Sequence, residues 1–235
     1  MPKVLMIISG ADSLTLADGS THPTGFWAEE VAASHRVLTD AGVDVVFATP
    51  GGVRPTVDAL SLDERGGVSA EDAKEFRTHL DNLADQLARP LPLAQAEAGQ
   101  YDVLYLPGGH GPMADLDSDA DLGRLLNDAQ AQGKTVAALC HGVAALLSAT
   151  GADGTFTFAG RALTSFTDEE ERQGGLGDNS PYFVESRLRQ QGALVQTGAA
   201  WSDTVVRDAN LITGQNPQSS VSTAQAVLKA LGAAN

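Results

Sequence analysis

Short apolar runs that alternate with longer helical patterns constrain the fold of this chain more than any other feature. Four runs rich in β-branched and apolar residues have the length of buried strands: residues 4–8, 43–48, 103–106 and 135–139. Apolar residues three or four positions apart predict helices over residues 24–41, 70–87, 119–132, 180–191 and 217–231. Because parallel strands need long, usually helical connections, this alternation predicts an α/β fold built on a mainly parallel sheet.

The second half of the chain adds three weaker runs, which we interpret as strands near the sheet edge: residues 193–196, 204–207 and 210–213. Asp208 and Ala209, between the last two runs, are expected to form a hairpin turn. Residues 51–99 form a long connection and are expected to hold a helix together with irregular covering structure. We find no internal repeat and no low-complexity linker, so residues 1–235 are predicted to be one domain.

Glycine, serine and proline mark several predicted helix ends. Gly42 and Gly133 follow the last residues of two helical patterns, where a left-handed glycine commonly ends a helix. Ser180 followed by Pro181 has the composition of an N-cap and a first helical residue. These signals agree with the periodicity, so the predicted helices do not rest on apolar spacing alone.

Charge and composition exclude several classes of function. The chain has 30 acidic and 15 basic residues, a formal net charge of −15, and no cluster of basic residues, which disfavours nucleic acid and anionic membranes as partners. No run approaches the roughly 18 apolar residues of a membrane helix, and we expect a cytoplasmic protein. The single cysteine excludes an intrachain disulfide and a zinc site built from several thiolates.

That cysteine, Cys140, occupies the most informative position in the sequence. Residues 138–142, Ala-Leu-Cys-His-Gly, join the predicted strand at 135–139 to an apolar stretch of helical composition at 143–147. A strand, a tight turn and a helix form the setting of a nucleophile elbow, and the N-terminus of the helix would favour a thiolate. The alternative is a buried small hydrophobic residue without reactivity, as many lone cysteines are.

A glycine pair follows the third predicted strand, in the segment at residues 106–113. This places Gly109 at the carboxyl end of the sheet, the end that also carries Cys140 and where open parallel sheets bind ligands. A glycine lets the backbone approach a bound group closely, so the Gly109 amide is a candidate oxyanion donor. The alternative is an ordinary glycine turn.

Glu30 is the most informative acidic residue. At about 100° per residue, the first helical pattern forms one apolar stripe, and Glu30 falls inside it. The residues of the stripe are Phe26, Trp27, Val31, Ala33, Val37 and Leu38. A carboxylate on a buried stripe is costly unless it is protonated or paired, which marks Glu30 as a candidate proton carrier near Cys140. The alternative is a side chain that reaches solvent from the helix start, and Glu29 is expected at the surface.

Five segments together resemble the PfpI superfamily, a glutamine-amidotransferase-like group that includes the Parkinson-disease protein deglycase. Residues 24–30, 106–113 and 138–142 carry the general resemblance, and residues 164–171 and 211–219 are similar to the glyoxalase III and heat-shock-chaperone branch. The resemblance implies a flavodoxin-like three-layer sandwich, with a mainly parallel central sheet and helices on both faces. It also implies a homodimer.

The resemblance further implies roles for individual residues. Cys140 corresponds to the nucleophile, Glu30 to the glutamate of the first helix and His141 to the catalytic histidine. Counting from Phe166 places the acid that orients the histidine at Glu171.

Two further implications follow from the same resemblance. Glu170 and Asp168 remain alternatives to Glu171, because the run of acidic residues leaves the register open. The backbone amides of Gly109 and His141 are expected to form the oxyanion hole.

The positions of the histidines in the sequence count against one activity of this superfamily, the hydrolysis of glutamine. A glutamine amidotransferase of this fold needs an independent histidine well downstream of its cysteine, and here only the adjacent His141 follows Cys140. The other histidines all precede the cysteine: His22, His35, His79 and His110. We expect His22, His35 and His79 to be surface or structural residues. No histidine pair has a metal-ligand spacing, so no metal and no cofactor are expected.

The remaining chemistry suits a small reactive carbonyl substrate. The sequence predicts a cofactor-independent enzyme in which the Cys140 thiolate adds to a 2-oxoaldehyde such as methylglyoxal and the product is a 2-hydroxy acid such as lactate. One alternative is a stress-induced holdase chaperone or a redox sensor that acts through oxidation of Cys140. Another is a different hydrolase, a hydratase or a deglycase on the same scaffold.

Overall fold

A seven-stranded sheet forms the centre of the computed structural model, which describes residues 1–232. The strands of this part of the chain are β1 (Lys3–Ile7), β2 (Ser13–Thr15), β3 (Thr21–Pro23), β4 (Asp44–Thr49), β5 (Leu91–Pro92), β6 (Val103–Leu106), β7 (Thr135–Leu139), β8 (Ala162–Leu163), β9 (Leu194–Val195), β10 (Val205–Asp208) and β11 (Leu211–Gly214). The order in the sheet is β10-β11-β7-β6-β1-β4-β5, with β10 antiparallel to β11 and all other neighbours parallel. The predicted α/β fold with a mainly parallel sheet is confirmed.

Helices cover both faces of the sheet. They are α1 (Ala28–Asp40), α2 (Ala70–Asn82), α3 (Ala84–Leu87), α4 (Ala120–Ala131), α5 (Asp168–Gly174), α6 (Val184–Gln190) and α7 (Ser220–Ala230). Alternate side chains of β1 enter separate cores: Leu5 packs with apolar residues of α4 and α6, and Met6 with those of α1, α2 and α7. This alternation follows from the period of two along a strand, and it gives the predicted three-layer sandwich.

Most predicted strands and helices lie within a few residues of their observed bounds. β6 and β7 coincide with the predicted runs, and Gly42 and Gly133 have positive φ angles just after α1 and α4, as a helix-ending glycine does. The first helix starts four residues later than predicted, because Phe26 still pairs with Thr56 and Val57 in extended conformation.

The helices in the second half of the chain differ from the prediction at two points. Ser180 does not cap a helix, because its hydroxyl donates to the Tyr182 carbonyl oxygen and α6 begins only at Val184. The helix α5 was not predicted. Its signal was a capping box, in which Thr167 and Glu170 bond each other's backbone amides.

One strand prediction near the sheet edge needs correction. The run at 193–196 contributes β9, which pairs with β8 in a separate two-stranded sheet. The runs at 204–207 and 210–213 contribute β10 and β11, the edge strand and its neighbour, as predicted. The hairpin prediction is confirmed, since β10 and β11 join through a turn at Ala209 with a φ of 50°.

The connection over residues 51–99 contains α2, α3, short 3₁₀ turns and the edge strand β5, which matches the expected mixture of helical and irregular structure. Part of it, from Asp58 to Val68, lies over the carboxyl ends of the parallel strands and lines the main cavity. No helix within residues 1–232 is long and apolar enough to cross a membrane.

Candidate active site

Cys140 lies where β7 ends and a short 3₁₀ helix, Cys140–Ser148, begins. Its φ angle is +55°, a left-handed conformation that costs a non-glycine residue roughly 1–2 kcal/mol. The turn is also crowded, because a Cβ atom on Gly142 would lie 2.3 Å from the Leu106 carbonyl oxygen. The geometry is that of the predicted nucleophile elbow.

Glu30 is fully buried on α1, as its place on the apolar stripe predicts. Its Oε2 atom accepts a hydrogen bond of 2.6 Å from the Gly108 amide, whereas Oε1 has no nitrogen or oxygen partner. Burial raises the pKa of Glu30 from 4.5 to about 8, although the Gly108 amide and the neighbouring Cys140 thiol oppose the shift. Glu30 is therefore a carboxylic acid at neutral pH, next to the sulfur.

Burial also changes the expected state of Cys140. Only 3% of the residue is exposed, and burial followed by the charge of Glu30 raises the pKa of the Cys140 thiol. The His141 backbone N–H favours the thiolate but does not overcome these effects. The expectation of a thiolate at rest is corrected accordingly: the structure favours a thiol that loses its proton when a substrate arrives.

His141 is placed to take that proton. Its Nδ1 atom lies 3.4 Å from the Cys140 sulfur, and its Nε2 atom lies 2.5 Å from Oε2 of Glu171. A carboxylate at Nε2 holds the ring proton there, which leaves the Nδ1 lone pair facing the thiol. Burial and then the charge of His110 lower the pKa of His141, so the ring is neutral before reaction.

Glu171 connects two histidines. Oε1 accepts hydrogen bonds from His110 Nε2 at 3.1 Å and from the Leu176 amide at 2.6 Å, and Oε2 faces His141. Burial alone would raise the pKa of Glu171, but His141 and His110 hold it far below its usual range. The carboxylate is charged and can stabilise a protonated His141.

The other two acids of the same run face elsewhere. Glu170 accepts hydrogen bonds from Thr167, Trp201, Gln215 and Asn216, and Asp168 accepts from Ser186. Consecutive residues of a helix point about 100° apart, which turns Glu170 away from the histidine, and Asp168 is engaged by Ser186. The acid that faces His141 is Glu171, the residue reached by counting from Phe166.

The glycine pair lies against both α1 and the elbow. Gly109 has a φ of +88°, and a Cβ atom there would lie 2.4 Å from the Gly25 carbonyl oxygen. A Cβ atom on Gly108 would lie 2.9 Å from the His141 amide nitrogen. Only glycines permit this approach, which places Gly109 and His141 at the wall of one cavity.

That cavity has a volume of about 540 Å³ and contains Cys140 in its wall. Aromatic and histidine rings form much of the lining: His22, Trp27, His110, His141, Phe166 and Trp201. Glu29 also lines it, which corrects the expectation of a surface position; the residue is half-buried, and burial followed by Asp72 raises its pKa to about 7.

One of the remaining histidines lines this cavity, and the other two have a structural role. His22 lines the cavity, and its ring lies edge-on to that of His110 at 6.4 Å. His35 is buried, stacks on Phe47 and lies with Nδ1 3.1 Å from His79 Nε2, which is the structural role expected of this pair.

A metal ion would find ligand atoms at only one place among residues 1–232. His110, His141 and Glu171 each offer one atom, and these atoms lie within 4.8 Å of one another. Sequence spacing did not indicate this group, because the fold brings the three residues together from segments that are distant in the sequence. The hydrogen bonds described above already pair these atoms, an arrangement that suits proton transfer.

Two residues of the site were missed by sequence reasoning. The sequence gives His110 no role, either as an independent base, because it precedes Cys140, or as a metal ligand, although it follows the glycine pair directly. Trp201 was not considered, and its segment has no motif that indicates a ligand site. Both line the cavity beside the predicted residues.

Comparison with known proteins identifies one matching family profile and several similar proteins. The profile described as "ThiJ/PfpI family-like" matches residues 22–168. Glutathione-independent glyoxalase HSP31 of Saccharomyces cerevisiae is 28% identical over 97% of this chain and 98% of its own length. Glutamine amidotransferase-like class 1 domain-containing protein 1 of Bos taurus is 30% identical, with 97% and 93% covered.

Solved structures agree with these relatives. Rapid Encystment Protein 24 KDa of Francisella tularensis superposes with a TM-score of 0.86 at 28% identity, covering 98% of this chain and 99% of the other. Glyoxalase III of Candida albicans superposes with a TM-score of 0.81 at 24% identity, covering 97% of each chain. The second likeness shows the fold alone.

Proposed function

This chain belongs to the ThiJ/PfpI family, and on that basis we propose that it is a glutathione-independent glyoxalase that converts 2-oxoaldehydes such as methylglyoxal to 2-hydroxy acids. The reaction is an internal oxidation and reduction followed by hydrolysis: the aldehyde carbon is oxidised, the adjacent ketone carbon is reduced, and water is the only co-reactant. Relatives at 25–28% identity that carry the name glyoxalase support this choice.

The first step forms a hemithioacetal. The Cys140 sulfur adds to the aldehyde carbon while its proton passes to His141 Nδ1. Glu30, present as the neutral acid, donates its proton to the aldehyde oxygen and becomes a carboxylate. The amides of Gly109 and His141 stabilise the charge that develops on this oxygen.

The second step moves hydrogen between the two carbons. The Glu30 carboxylate takes the C–H proton from the former aldehyde carbon, and protonated His141 donates to the ketone oxygen, which gives an enediol. Glu30 then returns its proton to the former ketone carbon while His141 takes the hydroxyl proton of the other carbon. The product is a thioester of the 2-hydroxy acid on Cys140.

Hydrolysis completes the cycle. Water attacks the thioester, its proton passes to the Glu30 carboxylate, and protonated His141 returns a proton to the leaving sulfur. Glu171 stabilises the protonated His141 in both directions. The enzyme is thereby restored to its starting protonation state, with a neutral Glu30 and a Cys140 thiol.

The observation that carries the proposal is the burial of one nucleophile, Cys140, beside two proton carriers, Glu30 and His141. Purified protein is expected to form lactate from methylglyoxal without glutathione, and Cys140→Ser and Glu30→Gln are expected to lose this activity. Glu71→Gln, an exposed glutamate of α2, is the matched control. Undiminished lactate formation by Cys140→Ser would contradict the proposal.

A deglycase activity is the second candidate, because a cavity of about 540 Å³ is larger than methylglyoxal requires. A relative at 28% identity, of which this chain covers 76%, has the name Protein/nucleic acid deglycase HchA of Staphylococcus aureus. Release of amine from an adduct of methylglyoxal with N-acetyl-lysine measures this activity. The spontaneous breakdown of the adduct is measured separately with a chemical trap for the aldehyde. If the protein releases the amine no faster than this, the deglycase activity is rejected and the glyoxalase reaction is the remaining candidate.

A further inference from the structure

Trp201 has a backbone conformation that its own side chain disfavours. The Ser202 amide donates to the Ala199 carbonyl oxygen at 3.1 Å, which makes residues 199–202 a β-turn with Trp201 at its third position. The φ angle of Trp201 is +64°, a value that this position normally reserves for glycine or asparagine. Surrounding contacts must therefore hold the residue in place.

The buried carboxylate of Glu170 supplies the main contact. Its Oε1 atom accepts from the Trp201 amide at 2.7 Å, from Asn216 Nδ2 at 2.8 Å and from Gln215 Nε2 at 3.1 Å. Its Oε2 atom accepts from the Thr167 amide and hydroxyl at 2.9 and 2.8 Å. Glu170 is fully buried; the two Thr167 donors cap its own helix, and the other three come from the segment around Trp201 and the segment after β11. The carboxylate thus fixes the Trp201 backbone relative to α5.

The Trp201 ring also has specific contacts. Its Nε1 atom donates to Gln173 Oε1 at 2.7 Å. A Cβ atom on Gly174 would lie 2.9 Å from the ring, so the absence of a side chain there makes room for the indole. Trp201 is 37% exposed and lines the cavity, which places the ring at the cavity mouth.

Two ring contacts connect this mouth to the catalytic histidine. The Trp201 and Phe166 rings meet edge to face with centroids 5.6 Å apart, and the Phe166 and His141 rings lie 4.3 Å apart. The cavity wall from His141 outward is therefore aromatic. Planar apolar groups bind such walls well, because they stack without leaving polar atoms unpaired.

We propose that Trp201 is a specificity-determining residue, whose ring binds a planar apolar substituent of the 2-oxoaldehyde while the aldehyde reacts at Cys140. Glu170 is a positioning residue that acts through the Trp201 backbone. The inference rests on the proposed glyoxalase function. Methylglyoxal has only a methyl group beyond its two carbonyl carbons and offers the Trp201 ring no planar surface, so Trp201 distinguishes between aromatic and small substrates.

Steady-state kinetics with phenylglyoxal and methylglyoxal test this role. Trp201→Ala is expected to raise KM for phenylglyoxal about tenfold more than KM for methylglyoxal, which is the loss expected for one aromatic contact. Trp201→Phe, which keeps an aromatic wall, is expected to restore most of the phenylglyoxal affinity. Val221→Ala, an exposed apolar residue on α7 outside the cavity lining, is the matched control. Equal effects of Trp201→Ala on both substrates would overturn the proposal.

The positioning role of Glu170 has its own readout. Glu170→Gln keeps the side-chain shape but replaces one acceptor oxygen by an amide donor, so the Trp201 amide loses its partner or competes for one. The folded variant is expected to reproduce the selective KM increase for phenylglyoxal. A kcat loss shared by both substrates would indicate instead that Glu170 acts only through the catalytic site or the general fold.

Fluorescence separates this inference from the proposed function. The chain has two tryptophans, so in Trp27→Phe combined with Cys140→Ser the emission reports on Trp201 alone, without turnover. Mandelate, the product expected from phenylglyoxal, should shift this emission with saturation, and lactate should not. Failure of mandelate to do so overturns the assignment of Trp201 even if methylglyoxal is converted. If the variant responds to mandelate but the wild-type protein converts no 2-oxoaldehyde, the assignment of Trp201 is supported and the glyoxalase reaction is rejected.

Discussion

Replacing Glu30 by Gln tests whether the acid beside the sulfur is neutral. Glutamine keeps the side-chain shape and an oxygen that can accept from the Gly108 amide, but it cannot ionise. In the native protein the pKa of Glu30 is about 8, against 4.5 in the unfolded chain. Between these values the native state binds a proton that the unfolded state has lost. The stability that neutral Glu30 contributes is therefore fully present below pH 4.5 and is lost as the pH rises through 8.

The size of the effect follows from linkage. Each pH unit within this interval changes the free energy of unfolding by about 1.4 kcal/mol for one proton. Between pH 5.5 and 7.5 the wild type should lose about 3 kcal/mol through Glu30, and Glu30→Gln should lose none of it. Other groups titrate in both proteins, so they cancel in the difference between the two free energies.

Urea unfolding of both proteins at pH 5.5, 6.5 and 7.5 measures that difference. The variant is expected to gain stability relative to the wild type with each step, by about 1.4 kcal/mol per unit, at equal m-values. Glu71→Gln, whose side chain is exposed, should show no such trend. A difference that stays constant within about 0.5 kcal/mol across the range would mean that Glu30 is ionised throughout, and the proposed acid role would fail with it.

Three further predictions follow from the site. Glu171→Gln is expected to lower kcat for methylglyoxal about 10²- to 10⁴-fold with a smaller change in KM, since it removes the charge that supports protonated His141. Gly109→Ala is expected to unfold at a lower urea concentration than Gly19→Ala. Both glycines have positive φ angles, but only a Cβ atom at position 109 would meet backbone atoms. The free energy of unfolding of the Gly109 variant should therefore be lower by roughly 2 kcal/mol. Alkylation of Cys140 by iodoacetamide should still accelerate above pH 9, because burial and Glu30 raise the thiol pKa; a plateau near pH 8.5 would contradict this.

The sequence was sufficient wherever a local pattern determines the outcome. The period of apolar residues identified the parallel strands, and the strand-turn-helix composition around Cys140 identified the elbow. Glu30 could be singled out because a carboxylate inside an apolar stripe conflicts with the solvation of charge. Each of these inferences needs only residues that are close together in the sequence.

The features that could not be predicted depend on contacts between residues that are far apart in the sequence. The roles of Glu170 and Glu171 could not be separated by counting alone, since adjacent helical residues differ in direction and their partners come from other loops. His110 lies 61 residues before Glu171, and neither spacing nor composition indicates that they meet. The protonation state of Cys140 was misjudged for the same reason, because it depends on burial and on Glu30 rather than on the following helix alone.

Glu170 and Glu171 are consecutive residues of the short helix α5, yet Glu170 binds the Trp201 amide at the cavity mouth and Glu171 pairs with His141. Because one short helix carries both acids, we predict that ligand binding at Trp201 and the basicity of His141 are energetically coupled. The double variant Trp201→Ala, Glu171→Gln should accordingly depart from additivity in its kinetics with phenylglyoxal. Such coupling would make the proposed reaction depend on whether the far end of the substrate is bound at Trp201.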